Sequence, residues 1–304
     1  MFRTERFQGY AVEFSPFREN KLACATGANF GIVGNGRLWL LGLESNGLIV
    51  DRVYDTQDGL FDCAWSENHE NQIVASSGDG SVKLYDVTLM DFPIRFWQEH
   101  TKEVLSVNWN LVRKDCFVSG SWDNQIKIWN PELPKSMRTF REHTQCIYNT
   151  IWSPYSADVF ASCSGDQTLI TWDTRIPRSS LTIYAHNNEV LACDWNKYRE
   201  NVIATGSVDR SIKVWDLRRP DKAVLEFSGH QYAVRRVKFS PHSEFILAST
   251  SYDMSLKLWD TQKGGAIFDF GQHTEFVFGL DFSLFDPHLL VSCAWDETVR
   301  LINY

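Results

Sequence analysis

Residues 143–173 read HTQCIYNTIWSPYSADVFASCSGDQTLITWD, and several positions of that stretch recur along the chain at a fixed interval. Histidines stand at 100, 143, 186, 230 and 273, spaced by 43, 43, 44 and 43 residues. Aspartates stand at 79, 123, 166, 209, 253 and 296, spaced by 44, 43, 43, 44 and 43, and each of the five histidines precedes its aspartate by 23. Six residues after each aspartate comes Tyr85, Trp129, Trp172, Trp215, Trp259 or Ile302, and fourteen before it comes Trp65, Trp109, Trp152, Trp195, Phe239 or Phe282. Self-similarity at such a period marks an architecture of repeated units. Within one unit, Val104–Trp109, Asp115–Ser119 and Gln125–Trp129 are β-rich runs divided by polar turn residues, so each unit reads as a small antiparallel sheet. One such sheet cannot bury both faces alone. Neighbours must stack, and seven of them can close into a ring.

The period and the endings Trp172-Asp173, Trp215-Asp216 and Trp259-Asp260 resemble WD40 repeats, which implies an all-β, seven-bladed WD40 β-propeller forming a single domain. The blades fall near 10–41, 56–87, 100–130, 143–173, 186–216, 230–260 and 273–304. Val299–Tyr304 reads as the third strand of the last blade, so its outer strand is expected from Phe2–Phe7, closing the ring. The resemblance also implies hydrogen-bonded structural tetrads in blades three to six: His100, Ser119, Asp123 and Trp129; His143, Ser162, Asp166 and Trp172; His186, Thr205, Asp209 and Trp215; and His230, Ser249, Asp253 and Trp259. A hydrolase would carry such a set once; four copies at fixed spacing are architecture. Blade two loses the set, with Thr56, Ala75 and Tyr85 at its positions, and blade seven has Ile302 in place of the tryptophan. Blade one lacks the aspartate and carries a Gly-rich insertion around Ala28–Val33, with neither the lysine nor the helix of a phosphate-binding loop.

At roughly 150 residues per domain, 304 residues would suggest two domains; divided by seven, the length is that of one repeat ring. The chain is 43% apolar with a net charge of −8, which gives no overall basic field for nucleic acid. The longest apolar run, Leu38–Leu43, is too short to cross a membrane, and Met1–Tyr10 lacks a signal-peptide core, so a cytosolic or nuclear protein is expected. Seven cysteines, at 24, 63, 116, 146, 163, 193 and 293, show no zinc spacing and read as small buried hydrophobes. No metal, cofactor or catalytic residue is expected, and the chain reads as a binder rather than an enzyme.

Function is then expected on the face where the histidine loops and aspartate turns meet. The variable positions there are those just before each aspartate, which include Trp122, Tyr252 and Trp295, and those at the start of each innermost strand: Tyr10, Phe61, Leu105, Tyr148, Leu191, Arg235 and Phe278. Asp58, Asp62, Glu103 and Glu189 punctuate this set, so the face suits something both apolar and basic.

The stretches Asn29–Leu40, Gly59–Trp65 and His186–Asn196, with the bare seven-blade length, resemble receptors for the type-2 peroxisomal targeting signal over the whole chain. That resemblance implies recognition of an N-terminal Arg-Leu-x5-His-Leu signal on matrix enzymes such as thiolase, bound as an amphipathic helix. It further implies an import co-receptor, docking peroxins at the peroxisomal membrane, and a cytoplasmic receptor that shuttles to the organelle. Asp62, Glu103 and Glu189 would meet the basic groups of the signal, while Phe61, Leu105, Trp122, Tyr148 and Trp295 hold its apolar side. Two other readings compete. Trp172-Asp173-Thr174-Arg175 and Trp215-Asp216-Leu217-Arg218 resemble the boxes by which substrate receptors of cullin-type ubiquitin ligases dock, and an acidic face would also suit a histone-binding chromatin propeller.

Overall fold

The computed structural model describes residues 1–89 and 92–304. Among them it forms 28 β-strands and one short 3-10 turn, Asn29–Gly31. The strands make seven four-stranded antiparallel sheets arranged as the blades of a closed ring. Strand character follows exposure. Second strands such as Leu289–Ala294 are buried along their whole length, whereas the outer strand Arg95–Gln98 buries only Trp97.

The core lies between the blades. Buried apolar side chains fall into seven clusters, each shared by two neighbouring blades, such as Val118, Ile126 and Ile128 of blade three against Trp152, Phe160 and Trp172 of blade four. Each blade therefore owes both of its buried faces to its neighbours. An eighth cluster sits apart from these, on the ring axis, and forms part of the site described below.

The innermost strand of every blade is an edge strand whose backbone donors need partners. Side chains of the preceding blade supply them. Glu13 accepts from the Trp65 N–H at 2.8 Å, Asp62 from Val107 at 3.1 Å, Asn108 from Trp152 at 2.9 Å, Asn149 from Cys193 at 3.2 Å, Asp194 from Phe239 at 2.7 Å and Asp281 from Phe14 at 2.7 Å. The remaining junction, blade six to blade seven, is spanned by the Lys238–Asp281 ion pair. Every junction around the channel is thus bridged by a polar side chain.

The N-terminal segment completes blade seven, as the sequence leads one to expect, with Phe2 opposite Val299 and Arg3 opposite Thr298. The paired stretch is only Phe2–Arg3. The Thr4 hydroxyl donates to the Phe7 carbonyl at 2.6 Å and Arg6 takes a positive φ of 71°, which turns the chain from the outer edge of blade seven toward the inner strand of blade one. Phe2 and Phe7 pack edge-on against Trp39 at 5.5 and 6.2 Å, tying the seam to blade one.

One regularity was not foreseen from the sequence. In all seven inner strands the pairing register slips near the start, at the third residue of Gln8–Phe14 and at the second of the other six, so that Tyr10, Phe61, Leu105, Tyr148, Leu191, Arg235 and Phe278 are each skipped by the ladder. A β-bulge re-aims a side chain, and here the same residue is re-aimed in every blade.

Candidate functional site

The four tetrads of blades three to six are geometrically alike. His143 Nδ1 lies 2.8 Å from Asp166 Oδ2, its Nε2 lies 2.7 Å from Ser162 Oγ, and Trp172 Nε1 donates to the same oxygen at 2.8 Å. A carboxylate only accepts, so the imidazole proton belongs on Nδ1; Nε2 then accepts from the serine hydroxyl, whose lone pair takes the indole N–H. Burial alone would push the Asp166 carboxyl up, but the hydrogen bonds from His143, the Thr168 hydroxyl and the Thr144 N–H outweigh it and hold it down to about 2. In blade six the Ser249 hydroxyl donates to His230 Nε2 at 2.7 Å and accepts from Trp259 Nε1 at 2.8 Å, while His230 Nδ1 lies 2.8 Å from Asp253. Ser119 and Thr205 are held in the same way in blades three and five, between His100 and Trp129 and between His186 and Trp215.

These hydroxyls sit below the face, not on it. Ser119, Ser162, Thr205 and Ser249 are each 0% exposed, in the second strands of their blades. With both partners of each hydroxyl inside its own blade, none is left to offer a substrate or a peptide. Ser249 and its three counterparts therefore belong to the framework and are not part of the binding site.

The irregular blades deviate in different ways. Blade seven keeps His273, Ser292 and Asp296 at 2.8 Å contacts, with Ile302 filling the place of the donor. In blade two, Asp79 instead accepts from Ser81 at 2.5 Å and Lys83 at 3.2 Å. Blade one retains half of the set, since Trp39 Nε1 donates to Thr26 Oγ1 at 3.1 Å. The insertion separates these two residues further than elsewhere, which hid the pair from the repeat register.

The bulged residues converge at the channel mouth on the face of the histidine loops. Tyr10, Phe61, Leu105 and Phe278 form a buried cluster, against which Tyr148, Tyr252, Phe276 and Trp295 pack half-buried. Phe278 stacks on Trp295 at 4.7 Å, Tyr252 on Phe276 at 4.7 Å, and Tyr10 meets Phe61 and Phe278 edge-on at 5.0 Å. The blade-one insertion joins this group. Phe30 lies against Trp295 at 5.2 Å and donates its backbone N–H to Gln8 Oε1, and a Cβ on Gly31 would meet the Tyr10 hydroxyl at 2.7 Å, so only glycine fits there. Phe30, Ile32 and Val33 are exposed beside the mouth, as is Tyr232 in blade six. The repeat pattern could not single these residues out, because Phe30, Ile32 and Val33 lie in the insertion and Tyr232 stands at a repeated position whose residue type differs in every blade.

Several expectations are corrected by this geometry. Tyr10, Phe61, Leu105, Leu191, Arg235 and Phe278 are not exposed on the face; the bulges turn them toward the ring axis, where each is less than a tenth exposed. They form the floor of the mouth. Asp62 lies deeper still, 5% exposed, paired with Arg236 at 3.0 Å and bonded to the Val107 N–H, so its carboxylate is committed inside the channel. Arg235 makes no ion pair among the described residues and lies over the Phe278 ring at 5.1 Å. What remains open on the face is Trp122 on blade three, the half-buried Tyr148, Tyr252 and Trp295, and the half-buried acids Asp58, Glu103 and Glu189. Asp58 accepts from the Gly59 N–H at 2.8 Å, Glu189 accepts from the Tyr148 hydroxyl at 2.8 Å, and Glu103 makes no ion pair among the described residues. These acids belong to blades two, three and five, beside Trp122 and Tyr148 of blades three and four, while the other open aromatics, Tyr252, Trp295 and Phe30, lie on blades six, seven and one. The mouth therefore has an acidic side and an aromatic side.

Arg175 and Arg218, the arginines of the two Trp-Asp-x-Arg stretches, each fork back onto their own Asp173 or Asp216 with contacts of 2.6 and 2.9 Å. Among the described residues there is no group of three or more His, Cys, Asp or Glu placed to hold a metal ion, and no helix long and apolar enough to cross a membrane.

The family described as "WD domain, G-beta repeat" matches residues 51–86, 92–130, 134–173, 178–216, 221–260 and 264–303. With seven four-stranded sheets in a closed ring, the fold and these matches define a WD40-repeat propeller, six of whose blades fall within the matched ranges. Among the most similar relatives, the "Peroxisomal targeting signal 2 receptor" of Dictyostelium discoideum is 60% identical over 283 residues, covering 92% of this chain and 90% of the relative. The protein of the same name from Mus musculus is 48% identical over 297 residues, 97% and 93% of the two chains. "Peroxisome biogenesis protein 7" of Arabidopsis thaliana is 59% identical over 298 residues, 96% and 94% of the two chains. The chain belongs to the family of peroxisomal targeting signal 2 receptors.

Proposed function

We propose that this chain is a cargo receptor that binds the Arg-Leu-x5-His-Leu signal of peroxisomal matrix proteins at the mouth lined by Trp295, Tyr252 and Tyr148, and delivers them with a co-receptor to the import machinery. The observation that carries this reading is the two-sided mouth. A nine-residue helix is about 13.5 Å long and displays an apolar stripe beside its basic groups. Laid across the axis, it would set the stripe on Trp295, Phe276, Tyr252 and Phe30 and turn its arginine and histidine toward Glu103, Glu189 and Asp58. Aromatic burial would carry most of the affinity, since half-exposed ion pairs contribute only about 0.2–1 kcal/mol each. So short a helix covers less than the roughly 1,200 Å² of a standard interface, which argues for a co-receptor that closes over it. Thiolase is a fitting cargo, and a receptor that works between cytoplasm and peroxisome fits the naming of the relatives. The reading assigns the chain no catalytic step.

Titration of a fluorescent Arg-Leu-x5-His-Leu peptide by anisotropy tests it. Trp295→Ala is expected to weaken binding about tenfold or more and Glu103→Lys about three- to tenfold, with the second effect fading at high salt. Full affinity in both variants overturns the placement.

A further inference from the structure

The opposite mouth of the channel has a different chemistry. There, loops joining the first and second strands of the blades surround a funnel with a cavity of about 140 Å³. That is close to the roughly 150 Å³ void known to admit a benzene ring, so it is room for one large side chain. Its walls include Phe14, Trp65, Trp152, Phe239 and Phe282, the aromatic residues that end five inner strands. Around its rim Phe17, Leu111, Val112, Tyr198, Leu284 and Phe285 stand exposed. Apolar side chains gathered around a concave opening mark a docking place more often than an idle surface.

The charges on the funnel decide what fits. Four carboxylates line it, those of Glu13, Glu67, Asp194 and Asp281, against two ammonium groups, Lys197 and Lys238. Lys197 is taken by Asp194 at 2.8 Å and Lys238 by Asp281. Glu67 has only Lys114 at 4.0 Å among the described residues, and Glu13 accepts one backbone N–H from Trp65. Burial pushes the Glu13 carboxyl up to about 8 against the pull of Lys238, so in the empty funnel it holds a proton at neutral pH, and burial raises that of Glu67 too. Trp152 adds a buried Nε1 donor that finds no acceptor among the described residues.

We propose that this funnel is a second binding site, which takes a lysine or arginine side chain carried on an apolar polypeptide segment. The cation answers the Glu67 carboxylate and displaces the Glu13 proton to solvent, and the flanking apolar residues cover the rim. A purely apolar occupant would desolvate the Glu67 carboxylate without a close partner, and an anion would be repelled by it. Nothing in this inference depends on the reading of the aromatic mouth.

The test uses the full chain and fluorescently labelled, capped pentapeptide pools whose central residue is arginine, lysine, citrulline or leucine, with the flanking positions drawn from Leu, Ile, Phe and Ser. Anisotropy is expected to show the arginine and lysine pools binding at least tenfold tighter than the citrulline pool, undiminished by saturating Arg-Leu-x5-His-Leu peptide. Glu67→Gln and Leu111→Ser, both at the open rim, are each expected to weaken the arginine pool about fivefold or more and leave the signal peptide unaffected. Equal binding of the arginine and citrulline pools, binding of none, or displacement of the arginine pool by the signal peptide would overturn the proposal. The comparison among pools stands even if the signal peptide itself fails to bind.

Discussion

Asp62 shows how far a single residue can be read from sequence. Its neighbour Phe61 begins an inner strand at the mouth, and both residues read from the sequence as parts of one exposed face. The bulge at Phe61 alters that geometry: the aromatic ring goes to the mouth floor and the carboxylate goes into the channel wall, between Arg236 and the Val107 N–H. Asp62→Ala is therefore expected to act on stability, at about 3–5 kcal/mol, because it strands the buried Arg236 guanidinium. A urea unfolding series measures this. Unchanged stability with lost peptide binding would return Asp62 to the face. The tetrads, in contrast, were legible to the residue, down to Ser249 and Thr205, because hydrogen-bond geometry demands the same four groups at the same offsets in each copy. The open contacts on the insertion, Phe30 above all, were not, since an irregular loop has no repeat to be read against.

Among the elements, the two-residue strand Phe2–Arg3 has importance out of proportion to its length. Two ladder positions contribute little alone, but the segment also brings Phe2 and Phe7 onto Trp39 and covers the outer edge of blade seven. Deleting residues 1–7 is expected to lower the thermal midpoint by several degrees and broaden the transition, since the seam between the first and last blades would open first. Calorimetry decides it; an unchanged, equally cooperative transition would show that the strand is dispensable. The sequence reading assigned Phe2–Phe7 to the outer edge of the last blade, and Phe2–Arg3 does pair there. It could not show that a turn at Thr4–Phe7 would shorten it, because that turn answers to the distance between two blades, which only the closed ring defines.

For the whole molecule, five nearly identical carboxylates titrate within a single cooperative structure. Asp123, Asp166, Asp209, Asp253 and Asp296 each feel burial pushing them up, and each is pulled down further by its histidine partner and other local hydrogen-bond donors, Asp166 and Asp296 to about 2. Their folded values lie below the unfolded value of about 3.9, so the stability they contribute is fully present above that value and is lost as pH falls through the folded values. Stability is expected to drop steeply between about pH 4 and pH 2, and Asp166→Asn to make that slope shallower by one proton's share. Urea midpoints measured across this range test it, and a slope unchanged by the substitution would count against the account. Repetition made the ring legible from sequence alone. The acidic and aromatic sides of the mouth were less so, since they depend on which blade carries which irregular residue.

The closing strand also sets a timetable. A ribosome adds about 5–20 residues per second, so Phe2–Arg3 emerges roughly 15–60 s before Thr298 and Val299 exist to receive it. Throughout that interval the first blade has no neighbour for the face that later packs on blade seven. The nascent chain consequently has to keep Phe2 and Arg3 soluble and unpaired until Thr298 and Val299 are translated, and the ring cannot close before then.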